Sequence, residues 1–140
     1  VDKKDIYALL DNRIVKIDIN SGDVETIKEF NDTSLMYVSI NKDYFTTLDR
    51  NIENNNYVVD NVGYSQNRVA QTTLELPPKS MIISGFVNYF IYQDHIQIYN
   101  KWGVDLGSRE ISFTPKKAIT FNHGKSLALI YTNKIYIVNL

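Results

Sequence analysis

Three stretches of the chain repeat one pattern of apolar and polar positions. Ile6 to Leu10 is an apolar run, Asp11-Asn12-Arg13 is a short polar turn, and Ile14, Ile17 and Ile19 punctuate the next segment. Phe90 to Tyr92, Asp94-His95, and then Ile96 and Ile98 repeat the pattern. So do Leu129 to Tyr131, Asn133-Lys134, and then Ile135 and Ile137. β-Branched and aromatic residues suit a pleated, packed surface, whereas Asn and Asp tolerate the backbone angles of tight turns. Each stretch therefore predicts two strands joined by a turn. In the first two stretches the second strand runs into a glycine turn, at Asn20-Ser21-Gly22 and at Asn100 to Gly103. A third strand comes after each, Val24 to Phe30 and Leu106 to Phe113.

The turns recur at a regular interval. Asn12 and Asp94 are 82 residues apart, and Asp94 and Asn133 are 39 apart. A period of about 40 residues, the length of one four-stranded repeat, requires a further unit with its turn near position 51. There Tyr44 to Leu48 leads into a long polar turn, Asp49 to Asn56, and then Tyr57-Val58-Val59. The chain thus divides into units of about 1–33, 34–78, 79–115 and 116–140 within a single domain spanning 1–140. Pro77-Pro78 and Pro115 separate the units, since proline donates no ladder hydrogen bond. No segment of 11 or more residues has a helical period. The strands expected along the chain number three, four, four and three. The first unit lacks an inner strand and the last an outer one.

The fold class predicted is all-β: about three and a half four-stranded antiparallel β-propeller blades, a partial propeller. The strand, Asp-Asn turn, Ile-rich strand and Asn-Ser-Gly turn of residues 6–23 resemble blades of the broad β-propeller superfamily with YVTN or quinoprotein-like repeats. Residues 90–105 resemble them less closely. No Trp-Asp pair ends a unit, as it would in WD40 blades, and the paired glycines of kelch repeats are missing. The resemblance implies a fold and no activity.

Composition narrows the functional classes. The 15 basic and 16 acidic residues leave a net charge of −1, which gives no electrostatic reason to expect nucleic acid or an anionic membrane surface. The absence of cysteine removes disulfides, thiolate metal sites and cysteine nucleophiles. No apolar run approaches the roughly 18 residues of a membrane-spanning helix. An opening Val1-Asp2 suits a processed chain or a piece of a longer one. Nothing in the sequence assigns a compartment.

Candidate chemistry is sparse. Asp18-x-Asn20-x-Gly22-Asp23 faintly resembles a calcium loop, but its glycine falls one position early and no distal glutamate comes after it. It reads as a turn in which Asp and Asn bond the local backbone. His95 and His123 stand 28 positions apart in turns and would need converging carboxylates to hold a metal. No nucleophile elbow and no phosphate-cradling glycine loop occurs, and no cofactor is nominated. Tyr89, Tyr92, Tyr99 and Trp102 suggest either an aromatic surface for a sugar or a peptide, or rings packed between repeats.

The function expected is therefore a non-catalytic scaffold for protein–protein interaction, part of a larger propeller or assembly. One alternative is an enzyme or sensor propeller whose site lies in loops outside this chain; another is a carbohydrate-binding module using exposed aromatics. Turn residues equivalent by repeat are the candidate binding positions: Asn12 and Arg13, Arg50 and Asn51, Asp94 and His95, Lys134, and in addition Trp102. Open sheet edges are association sites. The expected partner is a protein, or a second copy, that completes them.

Overall fold

The computed structural model describes residues 5–31, 33–41, 44–64 and 68–140. The sequence also predicts turns at 41–43 and 63–67, a loop at 31–33 and a charged lead-in over 2–5, all of which lie wholly or partly outside those residues.

The first sheet contains β1 (Asp5–Leu10), β2 (Arg13–Asp18) and β3 (Val24–Glu29). The second contains β4 (Thr33–Ile40), β5 (Tyr44–Asn51), β6 (Tyr57–Gly63) and β7 (Arg68–Leu74). The third contains β8 (Ser80–Ile83), β9 (Val87–Ile91), β10 (His95–Asn100) and β11 (Asp105–Glu110). The fourth contains β12 (Lys117–Phe121), β13 (Ser126–Ile130) and β14 (Ile135–Asn139), with a 3-10 turn over Asn122–Gly124. Every pairing is antiparallel between consecutive strands. This is the expected division into three, four, four and three strands, an open propeller arc.

Three apolar cores hold the arc together, one at each sheet boundary. Ile14 and Phe30 of the first unit meet Phe45 and Val62 of the second. Leu48, Val59 and Leu74 meet Met81 and Phe90. Tyr89, Ile96 and Ile98 meet Leu127 and Leu129. Sheets of this kind bury their faces only against neighbours. Tyrosine hydroxyls cross the boundaries: Tyr37 donates to Met81 O at 3.4 Å, Tyr44 to Gly85 O at 3.0 Å and Tyr89 to Gly124 O at 2.7 Å. The inner strands β8 and β12 approach one another, as radial sheets require.

The last strand of each of the first three sheets is irregular in register. β3, β7 and β11 each carry a shift against their neighbour. Bulges raise the local twist and blunt exposed edges. Several boundaries fall short of the sequence reading, β3 ending at Glu29 rather than Phe30. β11 ends at Glu110 rather than Phe113, because only Ile111 continues the pattern, its N–H donating to Asp94 O at 2.8 Å. β7 ends at Leu74, ahead of the Pro77-Pro78 connection.

Candidate interaction surface

The turns singled out from the sequence occupy one topological place, joining the same pair of strands in every sheet. The turn residues are largely absorbed by local bonds. Asn12 Nδ2 donates to Asn31 Oδ1 at 3.0 Å, and Arg13 opens β2, exposed. Arg50 Nε donates to Asn55 Oδ1 at 2.7 Å, and Asn51 Oδ1 accepts the N–H groups of Glu53 and Asn54. His95 opens β10 rather than lying within the turn, and stacks on Tyr92 at 4.5 Å. Its Nδ1 lies 2.7 Å from Asp94 Oδ1, a bond that holds the Asp94 carboxyl below its usual range. The Asp18 loop is a satisfied turn: Asn20 and Ser21 N–H groups donate to Asp18 Oδ1 and lower its pKa.

Burial places the four aromatics of the sequence reading in different settings. Tyr89 is completely buried, and Tyr99 packs on Phe90 at 5.3 Å. Trp102 is exposed but lies in the β10–β11 turn, the opposite end of the third sheet from Asp94–His95, with Lys101 Nζ over its ring at 4.7 Å. Those four rings form no common face. A different cluster does form. Lys134 Nζ lies 4.8 Å from the Tyr136 ring centroid, 5.6 Å from that of Phe113 and 5.8 Å from that of Tyr131. These groups flank a groove of about 400 Å³ beside β14, lined also by Arg109, Ile111 and Val138. Burial pushes the Tyr131 phenol up, and Lys134 partly offsets it.

The fourth sheet leaves an apolar face open. Aligned on the turns, Ile96 and Ile98 of β10 match Ile135 and Ile137 of β14. Ile96 and Ile98 are 0% exposed because the fourth sheet covers them; Ile135 and Ile137 are 63% and 51% exposed. Ile119 and Phe121 of β12 share that outward face and are exposed too. β14 is also an edge. Tyr131 N–H donates to Lys134 O and Leu140 N–H to Lys125 O, so alternate residues of β14 bond inward. Ile135, Ile137 and Asn139 therefore turn their backbone groups outward. The outer strands β3, β7 and β11 are mostly polar (VETIKE, RVAQTTL, DLGSRE), whereas β14 reads IYIVN. β14 has the composition of a middle strand in an edge position.

The first sheet mirrors this. Ile6 of β1 matches Leu127 of β13 by the same alignment. Leu127 is 0% exposed against the third sheet, and Ile6 is 52% exposed. Leu10 and Val24, on the same face as Ile6, are exposed as well, while the central Val15 is buried.

Sequence reasoning missed one buried cluster. Lys28 Nζ donates to Asp49 Oδ2 at 2.6 Å, to Asp60 Oδ2 at 2.7 Å and to Thr47 Oγ1 at 2.7 Å, bridging the first and second sheets. Gln71 Nε2 supports Asp60 Oδ1 at 2.9 Å.

Comparison with known proteins supports the architecture alone. No protein-family model matches the chain, and no curated protein does. Among solved structures, it is similar to the β-propeller of an oligogalacturonate lyase in complex with manganese, with a TM-score of 0.61 at 8% identity. The match covers 94% of this chain and 42% of that one, so the chain spans less than half the length of that protein. Among the described residues no group of three or more His, Asp or Glu is placed to hold a metal ion, so they do not fit a manganese site.

Proposed function

We propose that this chain is a propeller segment whose function is to bind protein through the outward face of its fourth sheet. One observation carries the reading. Positions that are fully buried between sheets in the third repeat, Ile96 and Ile98, reappear exposed as Ile135 and Ile137 in the fourth. A contiguous apolar face of this kind marks an interaction surface, and the unpaired β14 edge beside it adds main-chain donors and acceptors. Rigid sheets hold both in place. Of the candidate turn residues, Lys134, in the turn leading into β14, belongs to that sheet, and a charge at the rim sets approach more than affinity.

The test is affinity purification with the wild-type chain and with Ile137→Asp, then direct binding of the recovered protein to purified chain. Binding lost in Ile137→Asp and kept in Trp102→Ala supports the reading. A partner that binds both variants equally counts against it.

A second reading rests on the ring cluster. Phe113, Tyr131 and Tyr136 beside Lys134 and Arg109 would suit an anionic sugar, the class of ligand that the name of the structural neighbour indicates for that protein. Glycan-array binding lost in Tyr136→Ala would favour it, and an array without signal would remove it.

A further inference from the structure

The β10–β11 turn presents a cation between two exposed rings. Lys101 Nζ lies 4.7 Å from the ring centroid of Trp102 and 5.2 Å from that of Phe86, in the β8–β9 turn. Both rings are 60% exposed, and Val104 beside them is 55% exposed. The backbone holds this group in place. Asn100 Oδ1 accepts the N–H groups of Trp102 and Val104, and Lys101 N–H donates to Phe86 O at 3.0 Å. Asn61 Nδ2 of the second sheet donates to Lys101 O at 2.8 Å. Gly103, at φ +79°, lies so close to β7 that a Cβ would fall 3.0 Å from Thr72 Oγ1. Rings held in water at a fixed place add little to the fold, and binding surfaces use rigid exposed aromatics of this kind.

We infer that this turn is a docking point for a protein segment that carries a carboxylate beside an aromatic or aliphatic side chain. Charge complementarity selects the occupant. Among the described residues no carboxylate pairs with Lys101. Asp105, the acidic residue nearest in sequence, accepts from Gln97 Nε2 and Gly107 N–H instead. The two rings fix the ammonium in one place, so a carboxylate meets it without first ordering a mobile lysine. Apolar side chains flanking that carboxylate then cover Phe86, Trp102 and Val104. A neutral sugar would leave the ammonium unpaired. One ammonium on a chain of net charge −1 gives little attraction to an anionic lipid surface.

This surface is separate from the open face of the fourth sheet. It belongs to the third sheet, whose two neighbours are both in place. Repeats pack against sheet faces, so further repeats at either end of the arc leave this turn uncovered. Ile40 at the end of β4 and Phe121 at the end of β12 are exposed at the same end of the arc. The β8–β9 turn touches both neighbours there: Gly85 O accepts from the Tyr44 hydroxyl, and Ser84 lies against Gly124.

Trp102 is the chain's single tryptophan, so its fluorescence reports on this turn alone. Random peptides displayed on phage and selected on the immobilised chain supply the probe. The expected result is enrichment of peptides with Asp or Glu next to an aromatic or aliphatic residue. A synthetic, tryptophan-free member of that set should change Trp102 emission saturably. Lys101→Met keeps the aliphatic stem and removes the charge. It should weaken that peptide by roughly tenfold or more, the size of one charge-assisted hydrogen bond. It should also abolish the weakening by salt that the wild-type chain shows, whereas Lys101→Arg should keep both affinity and salt dependence. Enrichment without acidic residues, an unaltered Trp102 emission, or equal binding by Lys101→Met each overturns the inference. So does a Trp102 response to alginate oligosaccharides or to phosphatidylserine vesicles with none to the peptide, which would assign the rings to sugar or lipid. None of these outcomes bears on Ile137, so the two surfaces stand or fall apart.

Discussion

Lys28 and Asp49 join the first two sheets: the ammonium of one lies 2.6 Å from a carboxylate oxygen of the other, and both side chains are largely buried. Asp60 shares the same ammonium at 2.7 Å. Desolvation makes such a cluster a weak source of net stability, yet removing one partner strands the others. Lys28→Ala removes the ammonium that bridges two buried carboxylates and is expected to destabilise the chain by about 3–5 kcal/mol. Adding Asp49→Asn and Asp60→Asn should recover part of that loss. Urea midpoints of the single and triple variants measure it, and a triple variant no more stable than Lys28→Ala would show that the carboxylates are not strained by loss of the ammonium.

Acid titration addresses Asp49 alone. Burial raises its carboxyl above the ordinary value, and the Lys28 bond lowers it by less. The folded chain therefore holds this proton more tightly than the unfolded one. The contribution is complete below the ordinary carboxylate value and is lost as pH rises through the raised one. Asp49→Asn lacks that decline. Stability curves measured from about pH 3 to pH 7, across the usual carboxylate range, should therefore shift against the wild type, relative to the variant, as pH rises.

Ile98 and Ile137 give a matched pair. Both hold the same place in successive sheets, one covered and one bare. Ile98→Ala removes buried methylenes from the core formed with Leu127 and Leu129, at a cost of about 2–5 kcal/mol. Ile137→Ala should change stability by less than about 0.5 kcal/mol. Similar losses at both positions would mean that Ile137 is covered within the chain.

The repeat is legible in the sequence because alternation, turn residues and spacing are local properties. The Asp11-Asn12 turn, with Asp11 at φ 48°, and the glycine turns at Gly22 and Gly103 sit where Asn, Asp and Gly placed them. The missing inner and outer strands emerge from counting. What the sequence conceals is long-range. Lys28 lies 21 and 32 positions from its two carboxylates, and nothing in a lysine between Ile27 and Glu29 announces a buried ammonium. Burial likewise separates Tyr89 from Trp102, although both are aromatic and near in sequence. One signal was available and unused. The run Ile135-Tyr136-Ile137-Val138 is apolar on both faces, unlike the alternation of an outer strand, and that marks a strand meant to have neighbours on each side.

Tyr92 supplies an alkaline check on the second boundary. Burial raises its phenol to about 12, with Tyr99 adding to the shift. Its ring lies over His95 and its hydroxyl near Leu76 O, at 3.4 Å. Because ionisation is resisted in the folded chain, the stability it lends is present below the ordinary phenol value of 10.0 and is lost as pH rises toward 12. Burial also raises Tyr89, so ultraviolet titration at the phenolate band should show a group of late-ionising tyrosines that loses one member in Tyr92→Phe. An unchanged late amplitude in that variant would show that Tyr92 does not belong to the group.

Gly124 and Gly22 separate backbone strain from crowding. Both have positive φ, +82° and +77°. A Cβ on Gly22 would meet nothing within 4 Å, so Gly22→Ala carries only the left-handed penalty of about 1–2 kcal/mol. A Cβ on Gly124 would run into Ser84 Oγ and fall 2.6 Å from Ser84 Cβ, too close to stand. The turn must then move, and with it the carbonyl that accepts from Tyr89 at 2.7 Å. Gly124→Ala should therefore cost clearly more than Gly22→Ala and should loosen the fourth sheet against the third. Hydrogen exchange of β12 and β13 amides reads this directly. The faster exchange should be confined to the fourth sheet and its contact with β9, and should be absent from Gly22→Ala. If both variants lose the same stability, the close approach of Gly124 to Ser84 does not hold the two sheets in place.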